Sequence, residues 1–78
     1  MNKTVKFLLE LLASAGEPLS GHTLLDDFGQ NGFSFNQYYK ALTDAFQAGL
    51  VIDTVEFHSG TGFKVYALSP AGRELVQA

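Results

Sequence analysis

Apolar residues recur along the chain with two different periods, and the change of period divides it. Val5, Leu8, Leu9 and Leu12 repeat at helical spacing, with Phe7 and Leu11 widening the stripe, which predicts a helix over 4–15. Gly16 suits the residue just past its end, and Glu17-Pro18 blocks continuation. Ser20 is an N-cap candidate for a second helix over 21–28 that buries Leu24, Leu25 and Phe28, with Leu19 and Leu24 placed as a hydrophobic staple. Gly29, Asn31 and Gly32 then supply a turn. After Gly49 the residues become β-branched and aromatic, predicting strands over 51–57 and 63–68 around a turn at His58-Ser59-Gly60-Thr61-Gly62. Ser69 and Pro70 open a last helix over 70–77, Pro standing where its missing N–H costs nothing, with Leu75 and Val76 as its anchors.

The stretch from Ser34 to Val51 is the most strongly signposted. Ser34 and Gln37 have the spacing of a capping box, Phe33 and Tyr38 that of a staple, and Gly49 that of a left-handed stop. The helix between them, over 35–48, has two faces. Phe35, Tyr38, Ala41, Leu42, Ala45 and Phe46 share one arc, with Tyr39 at its edge, while Asn36, Gln37, Lys40, Thr43, Asp44 and Gln47 occupy the other. Following a short helix and a Gly-containing turn, it completes a helix-turn-helix pattern. The polar front is either a contact surface or an ordinary solvated face.

Composition narrows the function classes. The chain has 78 residues, 46 % of them hydrophobic and ten aromatic, enough for one small core. It has no cysteine, hence neither a disulfide framework nor a thiolate zinc site. No apolar run approaches the roughly 18–20 residues of a membrane span, so a cytoplasmic chain without membrane contact is expected. The formal net charge is −3, with Lys3, Lys6, Lys40, Lys64 and Arg73 the only fixed cations. Such a balance is unusual for a nucleic-acid binder, whose affinity rests largely on phosphate contacts.

Three quoted pieces carry a resemblance. Phe33-Ser34 through Leu42 resembles a turn leading into a recognition helix. Gln47-Ala48-Gly49-Leu50-Val51 resembles the end of such a helix and the start of a wing. Tyr66-Ala67-Leu68-Ser69-Pro70-Ala71-Gly72-Arg73-Glu74-Leu75 resembles the segment that closes the wing. In this order and spacing they resemble the winged-helix transcription regulators of the MarR, ArsR and PadR kind. The resemblance implies an α+β winged helix-turn-helix over 1–78, with three helices, a two-stranded wing and a short C-terminal helix. It further implies sequence-specific double-stranded DNA binding by a small regulator acting as a dimer. Winged helices also serve as protein-binding modules, which is the alternative. Those regulators usually carry basic residues in the recognition helix and wing, whereas this helix front sets one Lys40 against one Asp44.

In a major groove the N-terminal half of the reading helix meets base edges. Asn36 and Gln37 suit adenine, Lys40 suits guanine or phosphate, and Tyr39 and Thr43 suit phosphate or a thymine methyl. Ser34 lies beside them at the helix start. Ser59, Thr61 and Lys64 are the wing candidates for backbone contact. Phe46, Phe57 and Phe63 are candidates for an exposed aromatic patch toward a protein partner or a second copy. His22 and His58 lack a carboxylate at metal-ligand spacing, so no metal site is expected. Asp26 and Asp27 point about 100° apart on a helix and do not converge. With no nucleophile–base pair and no phosphate loop, neither catalysis nor a cofactor is expected.

Overall fold

A computed structural model describes residues 2–77, and the two end residues of the domain expected over 1–78 lie outside the described residues. The order is α1 (Lys3–Ala15), β1 (Leu19–Ser20), α2 (Gly21–Gln30), α3 (Phe35–Gln47), β2 (Val51–His58), β3 (Thr61–Leu68) and α4 (Pro70–Gln77). This is an α+β winged helix-turn-helix. Leu8, Leu9 and Leu12 of α1, Leu24 and Phe28 of α2, Tyr38, Ala41, Leu42 and Ala45 of α3, and Val51 and Leu68 of the wing base form one core. Phe28 is its aromatic hub, fully buried, with Phe7, Phe33 and Tyr38 ring centroids at 4.9, 5.5 and 5.4 Å. Phe33 and Tyr38, the two ends of the expected staple, both pack on Phe28.

Local chemistry sets the ends of the helices. Asn2 caps α1 by accepting from the Thr4 N–H at 2.7 Å, and Ser20 caps α2 by accepting from the Thr23 N–H at 3.1 Å. Helix α2 runs through Gly29 and stops two residues later than the glycine signal suggests. The stop is at Asn31-Gly32: the Phe33 N–H reaches Phe28 O and the Gly32 N–H reaches Gly29 O, with Gly32 at φ +84°. Those two bonds and the Phe28–Phe33 contact make a Schellman cap, which needs its left-handed residue at Gly32 and not at Gly29. Helix α3 ends the same way, with Leu50 N–H to Ala45 O, Gly49 N–H to Phe46 O, and Gly49 at φ +72°.

The sheet differs from a bare hairpin. Its order is β1-β3-β2, with Leu19 and Ser20 paired to Tyr66 and Val65. Two residues have no periodicity, so β1 has no signature in the hydrophobic pattern. The wing turn is also tighter than the five residues suggested by glycine content. His58 pairs with Thr61, leaving Ser59 and Gly60 alone in the loop, both at positive φ (54° and 81°). That is a type I′ turn, whose twist matches that of the flanking strands. Gly62 therefore belongs to β3, where the Phe57 ring of the opposite strand lies across it: an added Cβ would come within 2.9 Å of that ring.

Helix α4 is locked to the end of α3. The Ser69 hydroxyl donates to Gly49 O at 2.6 Å and accepts from the Gly72 N–H at 3.0 Å, while the Ser69 N–H donates to Leu50 O at 3.0 Å. Gly72 is buried, and a Cβ there would stand 2.0 Å from Leu50 O. Val76 packs on the core, but Leu75 is exposed and does not anchor the helix.

Two substitutions test these constraints by thermal or urea unfolding. Gly72→Ala forces α4 off the Leu50 carbonyl and is expected to cost about 3 kcal/mol or more, well beyond an ordinary surface change. Ser59→Asn places a residue that tolerates the left-handed region at the first type I′ position and is expected to stabilise by about 0.5–1 kcal/mol.

Candidate nucleic-acid interface

The front of α3 is held rigidly at its N-terminus and open to solvent. The Ser34 hydroxyl accepts from the Gln37 N–H at 3.1 Å, and the Gln37 side-chain oxygen accepts from the Ser34 N–H at 2.7 Å. The reciprocal pair satisfies two main-chain donors that the first turn leaves over. It also uses one of the two lone pairs of the Gln37 oxygen and fixes the amide's orientation. The amide donors and the second lone pair remain for adenine, in the orientation that the cap sets. Asn36 has no such engagement and is exposed. Thr43 is half-buried, farther from the free front than Asn36 and Lys40.

Phe35 does not belong to the buried arc. It is 59 % exposed and lies parallel to Tyr39, itself 62 % exposed, with centroids 6.3 Å apart and planes at 15°. Standing in the first turn, Phe35 lies outside the set Tyr38, Ala41, Leu42 and Ala45 that α3 buries. The start of α3 therefore presents an aromatic pair beside Asn36, a feature visible only once packing chooses which apolar residues turn inward. Tyr38, one residue away, is buried, and burial followed by the nearby Tyr66 raises its phenol above the usual value. The neutral form is the one that packs, so its contribution is present below the ordinary tyrosine range and is lost as pH rises through the raised pKa.

Both cations of the candidate surface are already paired. Lys40 Nζ lies 3.5 Å from Asp44 on the next turn of α3, and Lys64 Nζ lies 3.4 Å from Asp53 across the wing. Positions 40 and 44 have helical i,i+4 spacing, so the first pair was available to sequence reasoning. The second depends on the strand register, which sets Asp53 opposite Tyr66 and Lys64 opposite Val55 on one face. Lys3, Lys6 and Arg73 have no carboxylate within pairing distance among the described residues, and none of them is on α3 or in the wing. Exposed pairs of this kind contribute only about 0.2–1 kcal/mol. A phosphate can displace either carboxylate, but the displaced charge then stays nearby and opposes it.

Ser59 and Thr61 are exposed at the wing tip, Ser59 within the loop and Thr61 as the first residue of β3. The aromatic candidates separate. Phe46 is half-buried, edge-on to Tyr66 at 5.8 Å and packed on the core, so it is not part of an exposed patch. Phe57 is 72 % exposed. Phe63 is partly exposed and stacks on His58 at 5.0 Å. Because Phe57 pairs with Gly62 and Phe63 with Glu56, the two rings lie on opposite faces of the wing.

The histidines do have carboxylate neighbours, contrary to expectation: His22 is 3.8 Å from Asp26 and His58 is 3.5 Å from Glu56. Each is a pair, and among the described residues no three His, Asp or Glu side chains converge as a metal site would need. A shallow cavity of about 260 Å³ lies between the end of α1, the end of β3 and α4, with Leu12, Val76 and Arg73 in its wall. It falls below the usual range of ligand sites. No helix among the described residues is long and apolar enough to cross a membrane.

The arrangement is a winged helix-turn-helix fold, shared with solved structures described as transcriptional regulators. One similar solved structure is a provisionally assigned transcriptional regulator from Thermoplasma acidophilum, at TM-score 0.68 and 22 % identity, over 95 % of this chain and 71 % of that one. Another is a PadR family transcriptional regulator from Eggerthella lenta, at TM-score 0.65 and 18 % identity, over 91 % of this chain and 65 % of that one. This chain thus spans about two thirds of the length of these neighbours. No family model and no curated protein matches the sequence.

Asp44→Asn tests how little the α3 ion pair contributes. Unfolding free energy is expected to change by less than about 0.5 kcal/mol, because the pair is exposed and its charges are screened.

Proposed function

We propose that the chain is the duplex-binding module of a small transcriptional regulator, with α3 lying in the major groove and the wing tip on the sugar–phosphate backbone. The observation that carries this reading is the α3 front: a doubly capped, rigid helix in the recognition position of a winged helix, presenting Asn36, Lys40 and the free amide of Gln37 to solvent. Tyr39 and Thr43 flank this face, Ser34 holds its start, and Ser59, Thr61 and Lys64 belong to the wing. One module reads only a few base pairs, so useful specificity requires two half-sites and hence two copies. The winged-helix fold shared with neighbours described as transcriptional regulators supports this reading.

A second reading follows from the paired cations. With Lys40 and Lys64 held by Asp44 and Asp53 on a chain of net charge −3, the same face also suits a protein partner. Neither reading uses a catalytic group or a cofactor.

Duplex binding measured against salt separates the two readings. For the DNA reading, affinity falls with salt at a log–log slope of about −2 to −4, reflecting the few cations available. Lys40→Ala weakens binding, whereas Asp44→Asn and Asp53→Asn strengthen it by releasing the lysines. A chain that binds no duplex at low salt, even as the Asp44→Asn variant, fits the protein-binding reading instead.

A further inference from the structure

The outer strand of the wing has an unpaired edge with few of the usual defences. In the order β1-β3-β2, β2 is terminal along all eight of its residues, and its register with β3 is unbroken from Val51↔Leu68 to His58↔Thr61. It contains no proline, no lysine and no bulge, which are common ways of blocking edge-to-edge pairing. It does expose Ile52, Val55 and Phe57, by 53, 51 and 72 %.

The hairpin geometry determines which main-chain groups face outward. In a two-residue loop the closing pair, His58 and Thr61, is hydrogen-bonded, and the ladder alternates from there. Ile52, Thr54, Glu56 and His58 consequently turn their N–H and C=O groups toward β3. Asp53, Val55 and Phe57 turn theirs to the open edge. The side chains of these three residues share one face of the sheet with Lys64.

We propose that β2 pairs antiparallel with β2 of a second copy of this chain about a twofold axis through Val55, making one continuous six-stranded sheet. The occupant follows from self-complementarity. A twofold axis perpendicular to the sheet sets residue i opposite residue 110 − i, with side chains on the same face. Val55 then meets Val55 of the second copy, and Phe57 meets Asp53, whose charge is already balanced by Lys64 at 3.4 Å. On the other face Glu56 meets the Thr54 hydroxyl and Ile52 meets His58. No like charges stand directly opposite. Axes through Asp53 or Glu56 oppose two carboxylates, one through Phe57 runs the ladder out past the hairpin loop, and one through Thr54 brings Phe57 opposite Val51, which is buried in the core at the wing base, so Val55 is the favoured centre. In this register Asp53, Val55 and Phe57 of each copy, six residues in all, have their outward main-chain groups matched, while Val51 at the wing base lies beyond the ladder. The interface uses no residue of the α3 front but shares Lys64 with the proposed wing contact, so its test reads self-association without DNA.

The absence of cysteine from the sequence makes the register directly testable. Opposed hydrogen-bonded residues have Cα atoms about 5.5 Å apart, within disulfide range. Val55→Cys is therefore expected to form a covalent dimer readily on mild oxidation, at least tenfold faster than Asn36→Cys on α3. Sedimentation of the unmodified chain is expected to show a dimer, and Val55→Lys, which puts two ammonium groups on the axis, is expected to weaken it at least tenfold with an unchanged circular dichroism spectrum. The amide hydrogens of Val55 and its outward-facing neighbours Asp53 and Phe57 should exchange more slowly as protein concentration rises. A chain that stays monomeric at its highest soluble concentration overturns the proposal. So does a dimer that survives Val55→Lys, or equal cross-linking at positions 55 and 36.

Discussion

The contact on which the arrangement of helix and wing depends is the junction of Ser69, Gly49, Leu50 and Gly72. Three hydrogen bonds from or to Ser69 join the end of α3, the start of β2 and the first turn of α4 within a few ångströms. Ser69 is buried, so its hydroxyl must be satisfied there, and it is satisfied twice: it donates to Gly49 O and accepts from the Gly72 N–H. Gly49 supplies the left-handed stop that turns the chain from helix to strand, and Gly72 supplies the missing Cβ that lets α4 lie against the Leu50 carbonyl. These bonds tie both the base of the wing and α4 to the end of α3. The two quoted sequence pieces around Gly49 and Ser69–Gly72 are therefore two halves of one contact.

That junction positions a surface whose electrostatics are muted. The helix front has amides, hydroxyls and an aromatic pair, but its lysine and that of the wing are each matched by a carboxylate on the same element or strand pair. A duplex approaching this face meets hydrogen-bonding groups without a strong positive field. Association would gain little from steering, and direct contacts would have to supply more of the affinity than in a basic regulator. The capping box adds a second constraint, because the oxygen of Gln37 that could read a base is also the one that caps the helix.

The outer half of the wing obeys different physics from its base. Val51 and Leu68 belong to the core, whereas every residue from Ile52 to Lys64 except Glu56 is exposed. Exposure of Val55 and Phe57 beside an unpaired strand edge has a cost that a lone domain recovers only in part, through packing of Phe57 over Gly62. In the proposed dimer, edge pairing satisfies the outward main-chain groups and gives Val55 and Phe57 neighbours across the seam.

Much of the fold was legible in the sequence because the controlling interactions are local. Caps at Ser20 and Ser34, stops at Gly16 and Gly49, and the periods of α1, α3 and the two long strands each involve residues within a few positions of one another. Where local signals competed, the sequence alone chose less well: Gly29 resembled a stop, but the Schellman bonds needed Gly32, and glycine content suggested a longer wing turn than Ser59-Gly60. The two-residue strand β1, the outward Phe35 and Leu75, the half-buried Phe46, and the pairing of Lys64 with Asp53 were decided only by tertiary structure. Each depends on which of several equivalent apolar or charged residues a distant element happens to meet. The same holds for the site. Sequence placed a capped helix and a wing in order, but only the packed structure set Lys64 against Asp53 and left the outer edge of β2 open.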